Sequence, residues 1–256
     1  MSKLPKEHKF IDLSDYGRPF AKVIANALKN TTFTPIHVTI AFIIAGIFAI
    51  YCIVHSHYWL AAFFLILKSI LDASDGELAR VKQKPSYTGR YLDSVADILL
   101  NALFFIAIGY IASTPIWICI GAFLGLQLQG TLYNYYYVIL RNKFDGDTTS
   151  RVFENKTPIA LPGEKQKHVN ILFGMYKVLY GAFDKTIYAL DSNAHKGAAL
   201  PKWFMTSVST FGLGFQLLLI AILLVLNLKS YILPFFLGYT LMVLVFIAIR
   251  KIFYKS

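Results

Sequence analysis

Six stretches of this sequence stay apolar for about twenty residues each: 36–54, 59–80, 91–112, 115–140, 203–227 and 230–250. A helix of roughly 20 residues crosses the ~30 Å hydrocarbon layer of a bilayer. Within that layer every backbone polar group must be satisfied by the chain itself. Six such runs therefore predict an all-α polytopic membrane protein with six transmembrane helices. Composition agrees. Apolar residues make up 56% of the chain and charged residues 15%, with a mean hydropathy of +0.54; soluble domains run at about 45–50% and about 25%. A core of this size cannot hide that much apolar surface, which excludes a soluble globular domain. Cys52 and Cys119 both fall inside apolar runs and read as small buried hydrophobes, not as a disulfide or a metal pair.

Residues 1–30 lack a compact apolar core with a cleavage site, so no cleavable signal peptide is expected. Phe20, Val23, Ile24 and Leu28 instead recur at helical spacing beside Arg18, Lys22 and Lys29. That pattern predicts an N-terminal interfacial amphipathic helix within a segment 1–30, against the plainer alternative of a solvated tail. Residues 31–256 then form the transmembrane domain. A long connection, 142–202, separates spans four and five. It carries turn signals at Asp145-Gly-Asp147, Pro158 and Pro162-Gly163, then a stretch in which Ile171, Leu172, Met175, Leu179 and Phe183 could share one face of a helix. Such a helix would lie on the membrane or cap a site.

Basic residues set the orientation. Of 25 Lys and Arg, 23 fall before the first span, between Arg80 and Arg90, between Arg141 and Lys202, or in the C-terminal tail; only Lys68 and Lys229 lie elsewhere. Both termini and those connections are therefore expected in the cytoplasm. The net charge of +11 faces anionic headgroups and not nucleic acid. The sequons at Asn30 and Asn155 fall on the same side, so no glycosylation is expected.

Ionisable groups at membrane depth are costly and mark function. Span two ends with Asp72-Ala-Ser-Asp75-Gly76-Glu-Leu-Ala79-Arg80, and span three begins with Gly89-Arg-Tyr-Leu-Asp93-Ser-Val-Ala-Asp97. On helices, Asp72 and Asp75 share a face, as do Asp93 and Asp97. Asp72 lies about 12 Å from the cytoplasmic end of its helix, at 1.5 Å per residue, and Asp97 lies similarly deep in the next. Four carboxylates at one depth repel unless a cation neutralises them. All-oxygen ligation suits Mg²⁺ or Mn²⁺, and four carboxylates can hold two such ions. Gly76 and Ala79 leave a helix face bare for a phosphate, and Arg80 can clamp its oxygens. The bland alternative is a buried salt-bridge network.

The pattern Asp72-x₂-Asp75-Gly76-x₂-Ala79-Arg80-x₈-Gly89-x₃-Asp93-x₃-Asp97 resembles the signature of the CDP-alcohol phosphotransferase family at every specified position. The resemblance implies a transferase that moves a substituted phosphate group from a CDP-activated donor to an alcohol, releasing CMP, within a homodimer. It implies that Asp72, Asp75 and Asp93 bind two divalent ions, that Asp97 accepts the alcohol's proton and touches the second ion, and that Gly76, Ala79, Arg80, Gly89 and Ser86 line the donor site. Pro35 and Thr39 match the family's first-span motif. Ile36 departs from it where a polar residue is usual, with His37 beside it.

Other polar residues leave alternatives open. Lys68 pairs with Asp72 or reaches donor phosphate. Gln127, Gln129, Thr131 and Asn134 line an acceptor cavity or bond between helices. Arg141 binds an acceptor phosphate or anchors span four. Gly121-x₃-Gly125 packs a dimer or a neighbouring span. The family reading favours a CDP-diacylglycerol donor and a small alcohol acceptor, with CDP-choline or CDP-ethanolamine and diacylglycerol as the other branch. A membrane prenyltransferase needs a second Asp-rich segment, which this sequence lacks. A cation transporter fits poorly, because the acids gather at one depth and spans five and six carry none.

Overall fold

The structure, a computed structural model, describes residues 4–144, 156–197 and 199–254. The expected turn at Asp145–Asp147 and the sequon at Asn155 lie outside the described residues. Among those described the fold is all helical, with no strand. A short helix α1 (Arg18–Leu28) precedes four long ones: α2 (Pro35–Val54), α3 (Tyr58–Val81), α4 (Tyr87–Ile111) and α5 (Ile116–Lys143). Next come α6 (Gln166–Leu190), α7 (Lys202–Val208), α8 (Leu213–Val225), α9 (Lys229–Tyr239) and α10 (Leu241–Phe253).

By length and hydropathy, α2, α4, α5 and the nearly continuous α9–α10 can each cross a membrane. The stretch from α7 to α8 makes a fifth if its 55° bend is one broken span. Four or five spans are thus evident. The expected second span exists as the 24-residue α3, but its Lys68, Asp72, Asp75, Glu77 and Arg80 make it too charged to qualify. The outer surface is what lipid would solvate. Ile40, Ile44, Ile47 and Phe48 on α2, and Leu99, Leu103 and Ile106 on α4, are exposed in stripes of helical period. The inner faces meet in one core of residues from α2, α3, α4, α5, α8 and α9, including Phe42, Leu65, Phe104, Ile220 and Phe236. A second core joins the lower half of α5 to α7 and α10 through Tyr136, Phe204, Phe211 and Phe246.

Consecutive helices turn back by one repeated device. Ser56, Gln83, Ser113 and Asn227 adopt φ of 59, 53, 51 and 58° just beyond α2, α3, α4 and α8. In each turn the following amide bonds back to the last helical turn, as His57 does to Cys52, Lys84 to Ala79, Thr114 to Gly109 and Leu228 to Leu223. This satisfies carbonyls that the helix end orphans. Close helix approach relies on glycine at one place that the sequence left open. A Cβ at Gly125 would overlap the Thr240 side chain and one at Gly121 would press on Leu237, so this pair packs α5 on the α9–α10 span of the same chain. Gln129 donates to the Phe236 carbonyl at 3.1 Å and accepts from Gln216 at 3.1 Å, an interhelical network and not a cavity lining.

Two helices lie at the periphery of the bundle. α1 buries Ala21 and Ala25 and packs on α3, while Phe20 and Val23 stay largely exposed. Of the face expected on α6, Ile171 and Met175 are exposed while Leu172, Leu179 and Phe183 are partly buried. Val169, Phe173 and Ile187 are buried, and the rings of Phe173 (edge-on) and Tyr176 (tilted) pack against Tyr91 of α4.

Candidate active site

α3 and α4 run antiparallel, joined by Lys82–Ser86, and this brings their acids together. Asp72, Asp75 and Asp93 each place a carboxylate oxygen within 4.8 Å of the others. The first helix span reaches the same point: Thr39 Oγ1 donates to Asp75 Oδ2 at 2.7 Å and to the Pro35 carbonyl at 3.2 Å. Beside it, His37 closes the α2 cap by accepting from the Thr34 amide at 3.0 Å, which gives it a local structural role. Asp97 stands apart from the triad. Its Oδ1 accepts from the ammonium of Lys68, which also donates to Asp72 Oδ2 at 3.1 Å. Lys68 is fully buried; the expected pairing with Asp72 is present, and the same ammonium also bridges to Asp97.

Near these acids lie the motif residues that the resemblance expects to line a donor site. The guanidinium of Arg80 lies over Gly76, 3.5 Å from where a Cβ would project, and pairs with Glu77 at 3.0 Å. Glu77 also accepts from Arg18 of α1, whose Nε donates to Asp15 at 2.6 Å. Ala79 is half-buried on the adjacent turn. Ser86 caps α4, accepting from the Gly89 amide at 2.9 Å, and donates to Glu164 Oε1 at 2.8 Å. A Cβ on Gly89 would press against that serine hydroxyl and approach Ile36. Arg141 comes from a different helix. It is buried at the end of α5 with its guanidinium 5.1 Å from the Tyr137 ring.

Four residues near the site escaped sequence reasoning. Glu77 is an i, i+3 partner of Arg80, a signal present in the sequence. Glu164 accepts from the amides of Tyr87 and Thr88 at 3.2 and 2.7 Å and so ties the long connection onto the start of α4. Burial pushes its pKa up, but these bonds outweigh burial and hold the carboxyl below its ordinary value of 4.5. Tyr180 of α6 donates to the Ser94 carbonyl at 2.9 Å. Burial, then the charges of Asp97 and Asp93, keep its hydroxyl protonated well above the usual range. Tyr16 has a buried hydroxyl that faces Ser69 and Lys68, and burial raises its pKa. No local pattern announces the last three, since each depends on a distant segment folding back.

The donor set suits a divalent ion. Carboxylate oxygens are the hard ligands that Mg²⁺ and Mn²⁺ prefer. Among the described residues Asp93 Oδ1 is buried without a hydrogen-bond partner, an orphaned acceptor that a cation would satisfy. A family model described as CDP-alcohol phosphatidyltransferase matches residues 32–161, just over half of the chain and the whole acidic constellation. The chain belongs to the CDP-alcohol phosphatidyltransferase family. A curated relative from Thermococcus kodakarensis, named bifunctional IPC transferase and DIPP synthase, is 33% identical over 122 residues. That match covers 46% of this chain but 27% of the relative, so the chain spans only about a quarter of the protein it resembles.

Proposed function

We propose that this CDP-alcohol phosphatidyltransferase family member is a multi-pass membrane enzyme that moves a phosphatidyl group from CDP-diacylglycerol to a small alcohol and releases CMP. The observation that carries the reading is the meeting of Asp72, Asp75 and Asp93 beside Asp97, under the Gly76–Arg80 face, in a chain of this family. In this reading α3 is the sixth span, its charges turned into the bundle, and residues 31–256 form the catalytic domain. α1 lies at the cytoplasmic interface, and the active site and both termini face the cytoplasm. The 142–202 connection folds over the site through Glu164 and Tyr180.

Asp72, Asp75 and Asp93 would hold a divalent ion, Mg²⁺ or Mn²⁺, which supplies the positive charge that polarises the donor's phosphoryl oxygens; the family resemblance adds a second, touching Asp97. Arg80 clamps the diphosphate from the mouth once it exchanges Glu77 for phosphate oxygens. Gly76 and Ala79 let that diphosphate lie against the helix, and Pro35, Thr39, Ser86 and Gly89 shape the nucleotide end. Asp97 accepts the proton of the attacking hydroxyl. Arg141 binds the acceptor's phosphate where the acceptor carries one. The Gly121–Gly125 pair is used within the chain, so the expected homodimer draws no support from it.

The test is CMP release by purified protein with Mn²⁺, across a panel of CDP-diacylglycerol with small alcohols and CDP-choline or CDP-ethanolamine with diacylglycerol. Release only from the second set would move the chain to the other branch, and release from neither would reject the reading. Asp97→Asn should lose at least ~100-fold in turnover, the scale of a general base, while its unfolding temperature stays near that of wild type. Asp93→Asn should be inactive and should lose Mn²⁺ binding. Wild-type-like turnover in either would remove the assigned roles.

A further inference from the structure

The site contains a cation of its own, and its position conflicts with a simple two-ion arrangement. Lys68 is fully buried one helical turn before Asp72, 4.8 Å from the centroid of the Phe42 ring. A buried ammonium persists only where opposite charge and hydrogen bonds offset its desolvation. Here it bridges Asp72 Oδ2 and Asp97 Oδ1, a carboxylate from each of the two site helices. The remaining ligand atoms divide accordingly. Asp72, Asp75 and Asp93 converge within 4.8 Å and include the orphaned Asp93 Oδ1, whereas Asp97 lies outside that convergence, engaged by Lys68.

Charge counting leads the same way. Four carboxylates set against Lys68 and one divalent ion leave a single negative charge. A second divalent ion would overshoot to net positive charge in a low-dielectric site, and it would have to share the Asp72–Asp97 gap with an ammonium of like sign. An anionic diphosphate reverses that balance, because it brings the negative charge that a second cation needs and offers the ammonium a new partner.

Resting on the metal reading above, we propose that Lys68 is a built-in counter-cation occupying the second-ion position between Asp72 and Asp97. The protein alone takes one divalent ion, at Asp72, Asp75 and Asp93, and admits a second only when a nucleotide diphosphate arrives. Lys68 is thus a positioning residue that makes full loading of the site depend on the donor.

The experiment counts bound Mn²⁺ per chain by electron paramagnetic resonance, on the full-length protein in detergent, with and without CDP. Wild type should bind one ion alone and two with CDP. Lys68→Gln should bind two without CDP, and Mn²⁺ should raise its unfolding temperature more than it raises that of wild type. Two ions on wild type without CDP, one ion on wild type with CDP, or a single ion on folded Lys68→Gln would each overturn the role of Lys68 while leaving the metal site intact. Absence of any bound ion would overturn the metal reading itself, and the Lys68 proposal with it. If Lys68→Gln does not fold, the wild-type pair of measurements decides alone.

Discussion

At the scale of single residues, the site rests on groups that orient the acids as much as on the acids themselves. Thr39 shows this. Its hydroxyl donates to Asp75 Oδ2 at 2.7 Å from a different helix, and both groups are buried. Partners that orient metal ligands contribute about 10–100-fold in affinity or activity. Thr39→Val, which keeps shape and removes the donor, should therefore weaken Mn²⁺ binding about 10–100-fold, measured by calorimetry, and Thr39→Ser should restore it. If serine fails to restore it, Thr39 serves packing and not orientation. Thr39 entered only through the resemblance of the first-span motif, whereas the acids were legible in the sequence because their chemistry is local: fixed spacing on two consecutive helices presents them at one depth. The bridging of Asp97 by Lys68 was not. Its helical offset put Lys68 near Asp72, but nothing in the sequence states how far α4 rotates Asp97 toward it.

At the scale of elements, the long helices were legible to within a few residues, because twenty apolar residues admit little besides a helix. Their ends were not. Ser56, Gln83 and Ser113 take a left-handed conformation usually left to glycine, so the turns carried no glycine signal. The connection after α5 was similarly opaque: Glu164 finds its partners at Ser86, Tyr87 and Thr88, nearly eighty residues earlier. There a carboxylate caps the positive end of α4, a contact that capping studies put at about 1 kcal/mol. Glu164→Gln should speed amide exchange at Thr88 roughly fivefold, the factor that corresponds to 1 kcal/mol. The pH dependence has a definite sign. The folded pKa lies below the ordinary 4.5, so the clamp is fully present above that value and is lost as pH falls through the depressed one. The ratio of exchange rates between Glu164→Gln and wild type should hold steady above pH 4.5 and shrink toward unity below it. A ratio that stays constant to lower pH would mean that Glu164 does not act as an anion there.

At the scale of the whole molecule, the question is what closes the bundle, since helices in lipid lack a hydrophobic drive toward one another. Small-residue contacts and polar bonds supply part of the answer, but the lower half is joined by one buried ion pair. Asp191, fully buried just after α6, accepts from Nε of Arg250 at 2.8 Å and from its Nη2. Tyr136 donates to the same carboxylate at 2.8 Å, and Tyr135 donates to the Asp191 carbonyl at 2.9 Å. Three helices distant in sequence, α5, α6 and α10, thus end on one carboxylate. The sequence shows an aspartate after an aromatic stretch and an arginine in a basic tail, with nothing to pair them; only the return of α10 to α5 turns them into a core pair. The asymmetry of buried pairs makes this testable. Removing one partner strands the other and costs about 3–5 kcal/mol, whereas replacing both with apolar residues is often near neutral. Arg250→Met should accordingly lower the unfolding temperature sharply, and Asp191→Leu combined with Arg250→Met should recover much of that loss, because the stranded carboxylate is gone. Residual Mn²⁺ binding should survive in the double variant, since the acid triad lies on α3 and α4 and this ion pair on other elements. If the double variant is as unstable as Arg250→Met alone, the knot holds the bundle through its specific geometry and the tyrosine bonds, and charge compensation is the minor part.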